Sequence, residues 1–321
     1  MAVYTDVSDD DLAAFVARYD IGEPIAFKGI AEGVSNSNFF LQTTRDRYIL
    51  TVYEARAPRE DLPFFIGLMD HLAASGFACP RPVRMKDGAA LAEIAGKPAA
   101  LVSYLDGISV KKPSAAHCAA AGRALAELHV AGQGFAMVRP NPLSVSGWRP
   151  LAEASGERAE RISPGLPRRI ADEVAVHEAS WPKGLPGGVI HADFFADNVF
   201  FIGPACSGVI DFYFAANDAF AYDLAIALNA WCFEPDASFN LTKGQSLLAG
   251  YEAIRRLESA EVSALPQLAR GAALRFLLTR TLDLLDVPPG ALVKPHDPIP
   301  YDRRLSFHRR INSAADYGLT R

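Results

Sequence analysis

Cysteine is scarce: four residues in 321, at positions 79, 118, 206 and 232, with no CxxC pair among them. His117 stands beside Cys118, but neighbours on a helix point about 100° apart and cannot chelate one ion. A zinc module and a disulfide framework are thereby excluded, and structural thiols remain. Basic excess is also missing. Thirty-two Lys and Arg against 37 Asp and Glu leave a net charge of -5, which argues against nucleic acid or an anionic membrane as the main partner. No apolar run approaches a membrane span. The opening MAVYTDVSDDDLAAF has acids where a signal peptide needs a basic stretch, so the expected location is cytoplasmic, with no membrane partner. Repeats and low-complexity tracts are lacking too. Half the residues are apolar, enough to bury a substantial core in one large or two modest domains.

What the sequence does hold is concentrated in residues 188–213, GVIHADFFADNVFFIGPACSGVIDFY. Short apolar runs bounded by Gly, Pro and Ser predict strands, and His191, Asp193, Asp197, Asn198 and Asp211 stand where those strands end or turn. Carboxylates beside hydrophobic strands are costly unless they meet a cation or a donor network, and Mg²⁺ is the simplest partner. The order H-x-D-x-x-x-x-N, then a strand, then Asp, matches the parts used for phosphoryl transfer from ATP: one Asp takes the hydroxyl proton, while an Asn and a second Asp hold the metal. On this pattern Asp193 is the catalytic base or orienting group, with His191 bracing its loop, and Asn198 and Asp211 are the metal ligands. The plain alternative is that all are turn and cap residues. A lone HxD would deserve that reading; the ordered set in its strand context does not.

Along the chain, SDDDLAAFVARY (8–19) predicts a helix capped by Ser8 and closed by Gly22. PIAFKGI, SNFFLQTT and RYILTVYE, within 24–54, predict three antiparallel strands. The loop GIAEGVSNSNF between the first two is small and polar, so Gly33, Ser35, Asn36 and Ser37 are candidates to lie near nucleotide phosphates; taken alone, such a loop is also an ordinary hairpin turn. A helix over 59–75 ends at Gly76, and two more strands follow in ALAEIAG and KPAALVSYLDG. From Ser114 the pattern becomes mainly helical, with NPLSVSGWRPL (141–151) as a punctuated loop and packing helices over 241–258 and 265–286.

HADFFADN together with DFYFAANDAFAYDLA resembles the aminoglycoside phosphotransferase and choline kinase group. Within it, residues 210–233, 141–151 and 48–54 are similar in wording to the bacterial homoserine kinases, and the resemblance runs from Val34 to Arg280. It implies an α+β, two-lobed protein-kinase-like fold: a small antiparallel-sheet lobe over 1–103, a larger mainly helical lobe over 104–321, and a hinge at 103–107 where the backbone of Ser103 and Leu105 reads adenine. It also implies ATP and Mg²⁺ as cofactors, L-homoserine as the small-molecule acceptor, and a bracing role for Asp223. Tyr213, Asn217, Asp218 and Trp231 are then candidates to contact the acceptor, with Arg149 or Arg275 for its carboxylate. The oligomeric state is left open. Thr51 departs from the pattern, since most relatives carry a phosphate-binding Lys or Arg there; Lys28, Arg45 and Arg47 are candidate replacements, each equally readable as a solvated strand-edge residue. Choline, methylthioribose or an aminoglycoside stay open as acceptors. Thr51 also motivates a reading of another class, a nucleotide-binding regulatory protein with a degenerate site.

Overall fold

The computed structural model describes residues 5–30, 36–54, 58–287 and 295–319. The chain divides into two compact units, the first formed by Met1–Asp106, Phe135–Met137 and Gly208–Tyr213, the second by Gly107–Gly134, Val138–Ser207 and Phe214–Arg321.

In the first unit, helix α1 (Asp9–Val16) starts where Ser8 accepts the Asp11 N–H at 3.1 Å, with three acids in its first turn at the positive end of the dipole. It ends at Val16, short of Gly22, whose φ of 83° serves instead in the turn before the sheet. Strands β1 (Pro24–Ile30), β2 (Ser37–Thr43) and β3 (Arg47–Val52), then helix α2 (Leu62–Ala74), lead to β4 (Leu91–Ile94) and β5 (Lys97–Ser103). The strands form one antiparallel sheet in the order β1-β2-β3-β5-β4. Alternation assigns the faces. Phe39 pairs with Leu50 and Leu50 with Leu101, and these join Leu41, Val52 and Ala99 in a core cluster with Leu12, Phe15 and Val16 of α1. Each such large side chain contributes about 1.5–3 kcal/mol by leaving water. The opposite face carries the cross-strand pair Asn38 and Thr51. Helix α2 follows a 3₁₀ turn at Arg59–Asp61, has proline in its first turn where no N–H is missed, and buries Phe65, Leu68 and Leu72.

In the second unit, α3 (Ala115–Ala131) opens with Ser114 and His117 in a capping box, which accounts for that histidine without a metal. Helices α4 (Val145–Ser155) and α5 (Leu166–Ser180) precede short strands β6 (Gly187–Ile190), β7 (Val199–Ile202), β8 (Ala205–Val209) and β9 (Ala216–Ala219). Then come α6 (Phe220–Trp231), α7 (Leu241–Glu252), the 27-residue α8 (Ser259–Leu285) and α9 (Ile299–His308). Strand β6 pairs antiparallel with β9, which the sequence reading did not anticipate. Helices α3 and α7 approach through glycines: a Cβ on Gly122 would lie 2.0 Å from the Leu247 carbonyl oxygen, and one on Gly250 2.0 Å from that of Ala119.

The segment 141–151, expected as loop, is largely helical despite Pro150. Trp148 explains it. The ring is fully buried, its indole N–H donates to the Leu143 carbonyl at 2.8 Å, and it packs edge-on against Trp181 at 4.9 Å. An anchor of this size outweighs the roughly 3 kcal/mol that a helix-interior proline costs.

Candidate active site

In the second unit the motif residues form a tight turn after β6. Ala192 has φ 60°, left-handed for a residue with a side chain, a conformation that costs about 1–2 kcal/mol. Buried side chains pin both its ends: its N–H donates to Asp223 Oδ1 at 2.9 Å, and its carbonyl accepts from Arg275 Nη1 at 2.8 Å. Asp223 Oδ2 also accepts the His191 N–H at 2.7 Å. The strained turn directs Asp193, whose side chain keeps 20% of its surface open and lies 3.7 Å from Arg275. Burial raises the Asp193 pKa, while Arg275 and His191 pull it partly back.

His191 is fully buried; its Nδ1 accepts the Asp193 N–H at 3.2 Å and its ring meets Phe194 edge-on. Asn198 ends a 3₁₀ turn at Ala196–Asn198 and sends Nδ2 to the Asp193 carbonyl at 2.9 Å and to its carboxylate at 3.3 Å. That orients the amide nitrogen inward, whereas a hard cation takes the amide oxygen. Asp223 has its own support: His129 Nε2 lies 3.1 Å from it, and Tyr251 lies 2.7 Å from Nδ1 of the same ring. Burial lowers the His129 pKa, so the neutral ring donates from Nε2 and accepts from Tyr251.

Several acceptor candidates have structural bonds. Trp231 is buried, and its indole N–H donates to the Phe194 carbonyl at 2.8 Å. Asn217 accepts the Arg139 N–H at 2.8 Å, and Asp218 accepts from Asn141 at the same distance, so both hold the 139–141 segment against β9. Arg149 pairs with Glu178.

Other expected residues belong to the first unit. Asp211 also lies in the left-handed region, at φ 64°. Tyr213 has its hydroxyl 3.5 Å from that of Tyr53. Thr51 donates to Asn38 at 2.8 Å. Gly33 and Ser35 lie outside the described residues. The side chains of Asn36 and Ser37 turn to Glu54, whose N–H bonds Asn36 at 3.3 Å and whose carboxylate accepts from Ser37 at 2.7 Å and from Lys97. Burial pushes Glu54 up, but the bonds from Lys97, Thr5 and Ser37 outweigh it and hold the carboxyl below its usual pKa. The pair of Lys97 and Glu54 escaped the sequence reading because 43 positions separate its members. Of the other candidate cations, Arg45 pairs with Asp20 and Arg47 with Asp106. At the end of β5 the Ser103 N–H is taken by the Arg81 carbonyl at 2.9 Å, while Leu105 has no backbone hydrogen bond among the described residues.

Among the described residues no group of three His, Cys, Asp or Glu side chains is placed to hold a metal. Oxygen donors such as an amide or a carboxylate suit a divalent cation. No helix among those residues is long and apolar enough to cross a membrane.

Comparison with known proteins places these features in a class. The phosphotransferase enzyme family matches residues 26–257, and the chain belongs to that family. A homoserine kinase from Azorhizobium caulinodans is 62% identical over 319 residues, covering 99% of each chain. One from Methylobacterium radiotolerans is 63% identical over 318 residues, again covering 99% of each. Among solved structures, an amicoumacin kinase in complex with AMP-PNP, Ca²⁺ and Ami has a TM-score of 0.66 at 14% identity, covering 94% of this chain and 92% of that one. A spectinomycin phosphotransferase with ADP and spectinomycin has a TM-score of 0.65 at 13% identity, covering 98% of both chains. The fold is thus α+β and protein-kinase-like, with an antiparallel-sheet part and a larger helical part.

Proposed function

We propose that this protein is an ATP-dependent homoserine kinase, which transfers the γ-phosphoryl group to the side-chain hydroxyl of L-homoserine and so makes the O-phospho-L-homoserine used in threonine biosynthesis. The observation that carries the substrate is full-length identity of 62–63% to proteins named homoserine kinase. The reaction is supported by the ordered set Asp193, Asn198 and Asp211 and by the buried bracing of the turn before Asp193.

In this reading Asp193 accepts a hydrogen bond from the acceptor hydroxyl and takes its proton as the phosphoryl group arrives. A loose transition state releases that proton late, so aim counts for more than basicity. Arg275 and the backbone bonds to Asp223 fix that aim, and His191 and Trp231 brace the loop rather than touch substrate. Asn198 and Asp211 would be the residues to hold Mg²⁺, which would neutralise phosphate charge. The nucleotide is assigned to the segment ending at Asn36 and Ser37 and to the backbone of Leu105. With its N–H already bonded, Ser103 contributes less.

The test is Mg²⁺-dependent ADP release over L-homoserine, L-serine, L-threonine, choline, methylthioribose and kanamycin, with Asp193→Asn and Asp211→Asn as controls. Homoserine-selective turnover is expected, reduced about 10²-fold or more in Asp193→Asn. Nucleotide binding with no acceptor-dependent turnover would instead identify a regulatory protein, and wild-type rates in Asp211→Asn would remove it from the metal site.

A further inference from the structure

A zwitterionic acceptor needs a donor for its carboxylate, and most arginines of the second unit are already committed. Arg149 is paired with Glu178, Arg304 donates to the Asn229 carbonyl at 2.8 Å, and buried Arg275 bonds the Ala192 carbonyl. Arg280, near the end of α8, differs from them. Its guanidinium lies 4.6 Å from the centroid of the Tyr301 ring and 6.0 Å from that of Phe195, and among the described residues it makes no hydrogen bond or ion pair. Phe195 belongs to the turn that carries Asp193, its N–H donating to the Asp193 carbonyl at 2.8 Å. The guanidinium therefore lies over the wall of the catalytic turn, half-buried, with its fork of donors unspent among the described residues.

We propose that Arg280 grips the α-carboxylate of the acceptor through a bidentate guanidinium–carboxylate pair beside Asp193. The inference rests on the homoserine reading and deepens it. Stacking on two rings restricts the guanidinium before substrate arrives, so little orientation is lost on binding. A planar fork suits a carboxylate better than the point charge of lysine.

The experiment compares wild type, Arg280→Gln and Arg280→Lys on two acceptors, L-homoserine and 3-amino-1-propanol, which is the same chain without the carboxylate. Arg280→Gln is expected to raise KM for L-homoserine about 10- to 100-fold, the range for a lost hydrogen bond to a charged group. KM for ATP and the weak turnover of 3-amino-1-propanol stay where they are, and Arg280→Lys recovers part of the loss. Equal losses on both acceptors, a raised KM for ATP, or unchanged homoserine kinetics would each overturn the assignment of Arg280 while leaving the homoserine reading intact. Wild-type enzyme that fails to phosphorylate L-homoserine would overturn that reading and this inference with it.

Discussion

Asp223→Asn tests whether the strained turn at Ala192 is held by the carboxylate beneath it. The wild-type carboxylate accepts three bonds, from the N–H groups of His191 and Ala192 and from His129. An asparagine can keep only one oxygen. If its nitrogen takes the Oδ1 position, the Ala192 N–H faces a donor; if it takes Oδ2, the His191 N–H and His129 both do. The first arrangement costs less, and it still leaves one buried N–H unsatisfied, about 1–3 kcal/mol, while weakening the two surviving bonds by removing their charge. A total near 3 kcal/mol follows. At about 2–4 °C per kcal/mol for a domain of this order, the melting temperature should fall by roughly 6–12 °C. Activity should fall as well, by about 10-fold or more, because Asp193 is aimed by the residue that loses its anchor. Thermal unfolding by circular dichroism and kcat on L-homoserine are the two readouts. His129→Gln serves as control: it disturbs one side of Asp223 but spares both backbone bonds, so it should lower stability with little change in kcat. An Asp223→Asn protein that melts within about 2 °C of wild type, less than 1 kcal/mol on that scale, and keeps its kcat would refute the reasoning.

The same turn should tolerate glycine and reject a branched side chain. Ala192→Gly, which takes φ 60° without strain, should stay within about 1 kcal/mol of wild type, and Ala192→Val should lose more than about 2 kcal/mol, both measured by denaturant unfolding. Acid should weaken the second unit through its buried histidines. Burial lowers the His177 pKa from 6.5 to about 4, so the ring is neutral in the fold while the unfolded chain takes up a proton below pH 6.5; the stability it contributes is fully present above that pH and is lost as pH falls towards 4. The loss amounts to about 3 kcal/mol for this one group. Between pH 6.5 and 4.5 His177→Phe should therefore show a flatter stability profile than wild type, and parallel profiles would remove His177 from the account.

How much of this was legible depends on the range of the forces involved. The strands of the first unit announce themselves through local alternation: Phe39 and Leu41 against Leu50 and Val52 need no tertiary knowledge to be assigned to one face. Ser8 and Ser114 mark helix starts for the same reason, since a cap acts over three residues. Helix α4 was missed because Gly147 and Pro150 carry loop signals, while the force that overrides them, the burial of Trp148 against Trp181, is contributed by a residue 33 positions away in the sequence. Strand β9 is only four residues long, and its pairing with β6 cannot be seen in either strand alone.

At the site the division follows the same line. Spacing singled out Asp193 and Asn198 because their relation is local: the amide bonds back across five residues to the carbonyl of the acid itself. Spacing said nothing about what holds Asp193 in place. Its turn is strained at Ala192, and a strained residue persists only when its surroundings over-determine it. Here the surroundings are Asp223 on α6, Arg275 on α8 and His129 on α3, at sequence distances of 31, 83 and 94 residues for the three bonds involved. The family resemblance implies a bracing role for Asp223, whereas nothing local in the sequence ties Arg275 or His129 to this turn. Both position another residue, a role that no local pattern reveals. Arg280 is the converse case. It resembles any helix arginine in the sequence, and only the rings of Phe195 and Tyr301 beneath it distinguish an arginine held against the catalytic turn from one in solvent.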